Sequence, residues 1–312
     1  MVSKNQTQTE NKPIRRTRKR TAAATPRKRA TRPRPAAKGK KTKKKTTTKK
    51  SRLWIWTETP RWVIWAVTGV VAVAYLTFVY VRYLKPYFYR WDFGNMYEGH
   101  PVVHGIDVSH HQGDINWSKL SQVEHEGSGI RFVFMKATEG ADWVDSSFEE
   151  NFANARQHGF IRGAYHFFSN TSPARKQAEL FCKQVKLGPN DLPPVLDVET
   201  KGNYSEDSLR IEVKNWLHQV EAHYGVKPII YASHNFKERY LNDKELNAYP
   251  FWIAHYYVDS LAYKGEWSFW QHTDKGKLPG IKGRVDMNVF NGNLDDLKKM
   301  TIKPDTTAET KK

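Results

Sequence analysis

The chain has 312 residues, with 51 Lys+Arg against 32 Asp+Glu and a formal net charge of +19. Residues 1–52 hold 21 of those bases and a single acid, Glu10, which leaves 30 bases against 31 acids in all that follows. A near-neutral remainder argues against a folded nucleic-acid-binding domain, and the one cysteine, Cys182, excludes an intrachain disulfide, a cysteine-rich zinc site and a disulfide-stapled mini-domain.

Residues 1–52 run through clusters of Lys, Arg, Thr, Ala and Pro, such as TPRKRATRPRP at 25–35 and KGKKTKKKTTTKK at 38–50. Such a segment has too little apolar surface to offset the entropy of ordering, so a disordered basic tail is expected. Its charge would attract anionic lipid or nucleic acid in a salt-dependent way; the plainer role is a solvated tail that sets membrane orientation. After a juxtamembrane stretch at 53–61, residues 62–81 (WVIWAVTGVVAVAYLTFVYV) carry no charge over 20 positions. That is about the length a helix needs to cross a hydrocarbon core of about 30 Å, and Trp62, Trp65, Tyr80 and Tyr83 suit the two interfaces. The long leader and the lack of a small-x-small site after the span point to an uncleaved signal anchor in the lipid bilayer. The excess of bases before the span predicts a cytoplasmic N-terminus and an extracytoplasmic C-terminal domain, on the periplasmic or cell-wall side. Residues 82–100 then read as a linker.

From residue 101 short apolar strands alternate with amphipathic helices. Strands are predicted at 102–109, 130–138, 162–168, 193–199, 227–233, 251–257, 267–273 and 285–290. Ser146 with Glu149 reads as a capping box ahead of Phe148, Phe152 and Ala155, with Gly159 as the stop. Ser172-Pro173 reads as an N-cap and an N1 proline. A third helix is expected from Ser205, with Leu209, Val213, Trp216, Leu217 and Val220 buried and Gly225 as its end. Helices become short after residue 233. Eight strands with early alternating helices predict a closed or nearly closed parallel β/α barrel, irregular in its last third. A doubly wound open sheet is the alternative, but no GxGxxG or P-loop motif marks a nucleotide crevice. Residues 293–312 read as a polar tail, a short helix and a loose end.

In such a barrel the working residues gather at the C-terminal ends of strands. Those ends supply Asp107, Lys136, Glu139, Tyr165, Asp197, Glu199, Tyr231, Tyr256, Gln271 and Asp286. Within LDVE (196–199), Asp197 and Glu199 are two apart and face one side of a strand, while Leu196 and Val198 face the other. Two close carboxylates with Asp107 nearby should raise one proton affinity and leave one group protonated near neutral pH, as a general acid in glycoside cleavage requires. Tyr165, Tyr256 and Trp270 are expected to ring these acids and to suit stacking on sugar faces. His104, His110, His111 and His166 lie near them in sequence. No HExxH or His-x-His pair appears, and His110 and His111 would point opposite ways on a strand, so a metal hydrolase is the weaker reading. No GxSxG elbow is present, and Cys182 sits in a helical stretch far from any strand end.

GIDVSHHQGDINW (105–117), FMKATEG (134–140), GAYHFF (163–168), PPVLDVE (193–199), FWIAHY (251–256), FWQHT (269–273) and VDMNVFNG (285–292) together resemble the family 25 glycoside hydrolases. These are lysozymes of the muramidase type, and the likeness runs in order over roughly 102–292. It implies an irregular, flattened TIM-like β/α barrel at 101–292. It also implies cleavage of the β-1,4 bond between N-acetylmuramic acid and N-acetylglucosamine in peptidoglycan, with no cofactor, metal or protein partner. By motif, Glu199 resembles the family's proton donor and Asp197 its partner. Asp107 and Asp286 resemble the supporting acids, and Tyr165 the residue near the substrate acetamido group. Tyr231, Tyr256, Gln271 and Lys136 join them as expected substrate contacts. The D-x-E strand end is similar to that of glycosidases that use the substrate's own acetamido group as nucleophile; a carboxylate nucleophile or inversion stays open. Two other classes compete: a peptidoglycan-binding protein of weak activity on the same fold, which predicts loss of Asp197 or Glu199, and a membrane scaffold acting through its basic tail.

Overall fold

The computed structural model describes residues 60–84, 96–97, 99–125 and 128–304. The expected basic tail, residues 53–59, residues 85–95 of the expected linker and residues 305–312 lie outside them. Helix α1 spans Arg61–Val79 and continues as one π-helical stretch, Tyr80–Leu84. Over these 24 residues the mean hydropathy of its most apolar stretch is 2.0, and none of that stretch is buried against protein. Its one hydroxyl in the first half, Thr68, donates to the Ile64 carbonyl at 2.9 Å and is satisfied within the helix.

Eight strands form the barrel, β1 (His100–Val108), β2 (Ser128–Glu139), β3 (Ile161–Phe167), β4 (Val195–Asp197), β5 (Ile229–Ser233), β6 (Phe251–Ala254), β7 (Phe269–Gly276) and β8 (Val285–Asn291), and three two-residue strands, Met96–Tyr97, Glu124–His125 and Trp143–Val144, pair antiparallel with β1 and β2. β1 through β7 pair in sequence order as parallel neighbours. β8 then closes the ring by pairing antiparallel with both β7 and β1. The expected parallel barrel is therefore corrected in one strand. The reason is the connection: residues 277–284 form no helix, and a parallel crossover needs a dozen or more residues whereas a hairpin does not.

Strand parity divides the residues into two layers. Phe132, Phe134, Val195, Ile229, Tyr231, Trp252, Phe269 and Phe290 fill the barrel. Ile106, Val133, Met135, Leu196, Val198, Ile230 and Ile253 face outward into the layer shared with the helices. The interior is packed with rings. Phe134 stacks on Trp252 at 4.7 Å between centroids, and Phe269 meets Phe132, Phe134 and Phe290 at 5.2, 5.1 and 5.1 Å. Gly105 and Gly163 sit at inward positions because a Cβ there would run into the rings of Phe132 and Phe134.

Outside the barrel lie α2 (Trp117–Leu120), α3 (Phe148–Gln157), α4 (Ala174–Gln184), α5 (Glu206–Tyr224), α6 (His234–Tyr240) and α7 (Leu294–Met300). α5 follows expectation: Ser205 accepts from the Ser208 N–H, the five predicted residues are buried, and Gly225 ends it in the left-handed region. Two predicted caps do not form. α3 begins after Ser147 with no side-chain cap, because the Asp145 carboxylate takes the Ser147 N–H instead. α4 begins after Pro173, and its first N–H, from Ala174, donates to Glu212 of α5 at 2.8 Å. The short helix predicted near the C-terminus forms, but residues 293–304 pack on the barrel instead of trailing from it. α7 carries a capping box from Asn293 and Asp296, its Leu297 is buried with the interior rings, and Ile302 exchanges backbone hydrogen bonds with Asn190 and Asp191.

Replacing Gly105 by Ala should destabilise the fold by about 1–3 kcal/mol, the usual cost of overpacking a filled core. Equilibrium urea unfolding of the parent and the variant checks this.

Candidate active site

The interior rings stop short of the end where β1–β7 terminate, and there the inward positions turn polar. Asp107, Lys136, Tyr165, Asp197, Glu199, Tyr231, Tyr256, Gln271 and Asp286 all line one cavity of about 170 Å³. Nine of the ten strand-end residues named from the sequence thus converge, and the tenth, Glu139, lines a neighbouring cavity instead. Asp286 arrives differently from the others: it stands at the beginning of β8, and the reversed strand brings it opposite Asp107.

β4 ends at Asp197, so Glu199 lies beyond the strand rather than on it. The extended course persists, because the Val198 N–H donates to the Tyr231 carbonyl at 2.9 Å, and Leu196 and Val198 are buried in the outer layer. Asp197 and Glu199 therefore keep the shared side that their spacing predicted.

Asp107 is the hub of a buried polar chain. Its Oδ2 accepts from Gln271 Nε2 at 2.7 Å and from Asn288 Nδ2 at 2.8 Å. The Gln271 carbonyl in turn accepts from the hydroxyls of Tyr231 and Tyr256 at 2.6 and 2.7 Å. Trp252 Nε1 donates to the Asn288 carbonyl at 2.9 Å, which fixes that amide with its NH₂ toward Asp107. Lys136 is buried and donates to Glu139 at 2.6 Å. Asp197 differs from all of these: its Oδ1 is buried and has no hydrogen-bond partner.

Burial dominates the electrostatics. It pushes Asp107 up to about 6, against the pull of its bonds to Asn288, Gln271 and Asp286. Asp286 is pushed up to about 9 by burial and by the charge of Asp107. Asp197 lies well above the usual carboxylate range, first through burial and then through the charges of Glu199 and Asp107, while Lys136 opposes. Glu199 is exposed at the mouth, yet the protein around its carboxyl still raises it, with Lys136 again opposing.

Ser109, His111, Phe167 and Trp252 also line the cavity and were not predicted, nor was Asn288. Trp270 is corrected: it is fully buried on the outside of the barrel with Tyr97, Val102 and Val289. Gln271 points inward, so its neighbour must point outward, and Trp252 is the tryptophan of the site. The histidines do not surround Asp107. His110 and His111 occupy a 3-10 turn, where His110 binds Asp145 at 2.8 Å and their rings lie 4.0 Å apart. His166 lies in the outer layer between Thr138 and Gln177. Among the described residues no group of three or more His, Cys, Asp or Glu is placed to hold a metal ion.

Residues 106–281 match the family Glycosyl hydrolases family 25. The chain belongs to that family. Lysozyme M1 of Streptomyces globisporus is 34% identical over 206 residues, 61% of this chain and 68% of that protein. YegX of Escherichia coli (strain K12) is 44% identical over 201 residues, 63% of this chain and 72% of that protein. Among solved structures, the bacterial lysozyme from Streptomyces coelicolor superposes with a TM-score of 0.59 at 33% identity, over 64% of this chain and 96% of that one. As a family 25 member the chain is a glycoside hydrolase of the lysozyme type, and the acid-lined cavity lies within the matched region except for Asp286.

Asp286 and Asp107 bind protons more tightly folded than at their ordinary value of 3.8. The folded chain therefore holds more protons than the unfolded one above that value, and this contribution to stability falls as pH rises toward about 9. Asp286→Asn should flatten the fall between about pH 6 and 9 and make the alkaline side more stable than the parent. Unfolding midpoints across that range check it.

Proposed function

We propose that this protein is a membrane-anchored N-acetylmuramidase that cleaves the β-1,4 bond between N-acetylmuramic acid and N-acetylglucosamine in peptidoglycan, with Glu199 as general acid and base and Asp197 as its partner. The observation that carries this reading is the buried, unpartnered Oδ1 of Asp197 beside Glu199 at the cavity mouth. An oxygen left unpaired in the protein is poised to accept a hydrogen bond from substrate. The acetamido N–H at carbon 2 of the reacting sugar is such a donor. Once bonded to it, Asp197 is favoured as the carboxylate, and the proton the two acids compete for moves to Glu199.

In the first step Glu199 gives its proton to the bridging oxygen as the bond to the anomeric carbon breaks. The acetamido carbonyl oxygen forms the new bond to that carbon, giving an oxazolinium ion whose N–H charge Asp197 stabilises. Water then attacks the same carbon, Glu199 takes its proton back, and the acetamide reforms with retention. Asp107, held by Gln271 and Asn288, adds negative potential beneath the developing positive charge. Asp286 shares a proton with it. Lys136 keeps both Asp197 and Glu199 from rising further. Tyr165, Tyr231 and Tyr256 supply the walls and hydroxyls that seat the sugar.

Glu199→Gln keeps the outline of the side chain but removes the transferable proton, so hydrolysis of purified peptidoglycan should fall about 10²–10⁴-fold. An aryl glycoside with a good leaving group should recover much of that loss, whereas Asp197→Asn should stay damaged on both. Release of fragments at parental rate by a folded Glu199→Gln would remove the assignment. Mass analysis of the parent's fragments should find muramic acid at the reducing end; glucosamine there would mean a different bond is cut.

The anchored arrangement rests on α1, whose apolar stretch is long enough to span a bilayer, and on the basic excess of residues 1–52. The tail would lie in the cytoplasm, residues 62–81 in the membrane, and residues 101–292 outside. Protease added to intact spheroplasts should then remove the hydrolase domain and spare the tail. Protection of the domain with loss of the tail would reverse the topology.

A further inference from the structure

The catalytic cavity, at about 170 Å³, is smaller than the roughly 300–1,000 Å³ of pockets that enclose a whole small ligand. It can grip one face of the reacting sugar and little else. A polymer held only there would bring almost no binding energy from its remote rings, although such energy can help reach the transition state. A second cavity of about 380 Å³ lies on the same rim, between the turn that follows β2 and the turn that follows β3. The two share a wall: Lys136 lines the first, Glu139 lines the second, and the two side chains are ion-paired at 2.6 Å.

The composition of the second cavity indicates its occupant. Trp143 lines it and is 37% exposed; beyond α1 it is the one exposed tryptophan among the described residues. Its indole is held in place rather than free, with the His110 ring edge-on at 5.3 Å and the Lys136 ammonium at 4.9 Å from its centroid. The Ser172 hydroxyl, also in the lining, is shielded from solvent and has no partner. Glu139 and Asp142 supply carboxylates there. An ordered aromatic surface with hydroxyl and carboxylate acceptors suits the apolar face and the hydroxyl rim of a sugar. Its acids disfavour an anionic group, which excludes the carboxylates of a muramyl lactyl group or stem peptide in favour of a neutral ring.

We propose that this second cavity is a distal saccharide subsite, in which a neutral N-acetylhexosamine ring of the strand being cut rests on Trp143 and bonds to Asp142 and Ser172. The subsite rests on the hydrolase reading above and adds to it a preference for long strands. The full-length protein should therefore cleave long glycan strands, stripped of stem peptides, with a higher kcat/KM than a tetrasaccharide of the same repeat. Trp143→Ala should lower kcat/KM on the long strands by about 3–10-fold, the scale of one lost aromatic contact. It should leave the tetrasaccharide within about twofold, and Trp143→Phe should recover most of the loss. Equal losses on both substrates would mean that Trp143 acts only by holding Lys136, and would overturn the subsite. So would no loss on either, or a loss confined to strands that bear stem peptides. The length dependence is read on the parent glutamate, so it can fail while Glu199→Gln is inactive as expected. Conversely, an active Glu199→Gln would sink the mechanism without touching the length dependence.

Discussion

An eight-stranded barrel is just wide enough inside for side chains to fill it, and here the filling must be rings or polar groups that satisfy one another. Here the two solutions are stacked along the barrel axis. Phe132, Phe134, Phe269 and Phe290 take the lower part, with Gly105 and Gly163 yielding them space. Trp252 is the joint between the layers: its ring packs on Phe134 while its N–H turns upward to Asn288. Above that joint the inward positions belong chiefly to the acid cluster and its polar partners, with Phe167 the apolar exception. The ring-filled half thus dictates where the chemistry can be, since carboxylates are tolerable only at the open rim.

At that rim the electrostatics are deliberately unbalanced. Asp107, Asp197, Glu199 and Asp286 share one cavity with a single lysine. Full ionisation of four carboxylates at such range is unfavourable, so protons are retained, most strongly where burial is joined by a neighbouring charge. The Gln271 and Asn288 amides oppose this for Asp107 alone, because both donate to its Oδ2. Two tyrosine hydroxyls bonded to the Gln271 carbonyl ensure that its NH₂ is the end that faces the acid. The result is a graded set of acids built from residues of one chemical type.

Much of this was legible in the sequence because strand parity is a strict rule. The spacing of Asp197 and Glu199 and the gathering of strand-end acids followed from it. The same rule, applied to Gln271, would have placed Trp270 outside, and applied to Asp286 it would have found Asn288 at the next inward position. Ser109, in extended backbone two residues past Asp107, was within its reach, but His111 was not, since it lies in a 3-10 turn where alternation does not hold. The helix caps were missed for a different reason: Asp145, next to the expected Ser146, and Glu212, remote from Ala174 in sequence, supply the acceptors that the serines were expected to supply. The direction of β8 is not written in its own residues, but the short connection before it was the readable signal.

That reversed strand has a consequence for how the barrel is closed at its far end. β1 begins, and β8 ends, at the end of the barrel opposite the acid cluster, and α7 then folds across that end with Leu297 inserted among the rings. The upstream side is different: Met96–Tyr97 runs antiparallel beside the start of β1, Met96 opposite Pro101 and Tyr97 opposite His100. α7 and the residues that follow it to 304 thus seal the ring-filled base without crossing the mouth, so one end of the barrel is stoppered by its own chain while the other stays open above the acids.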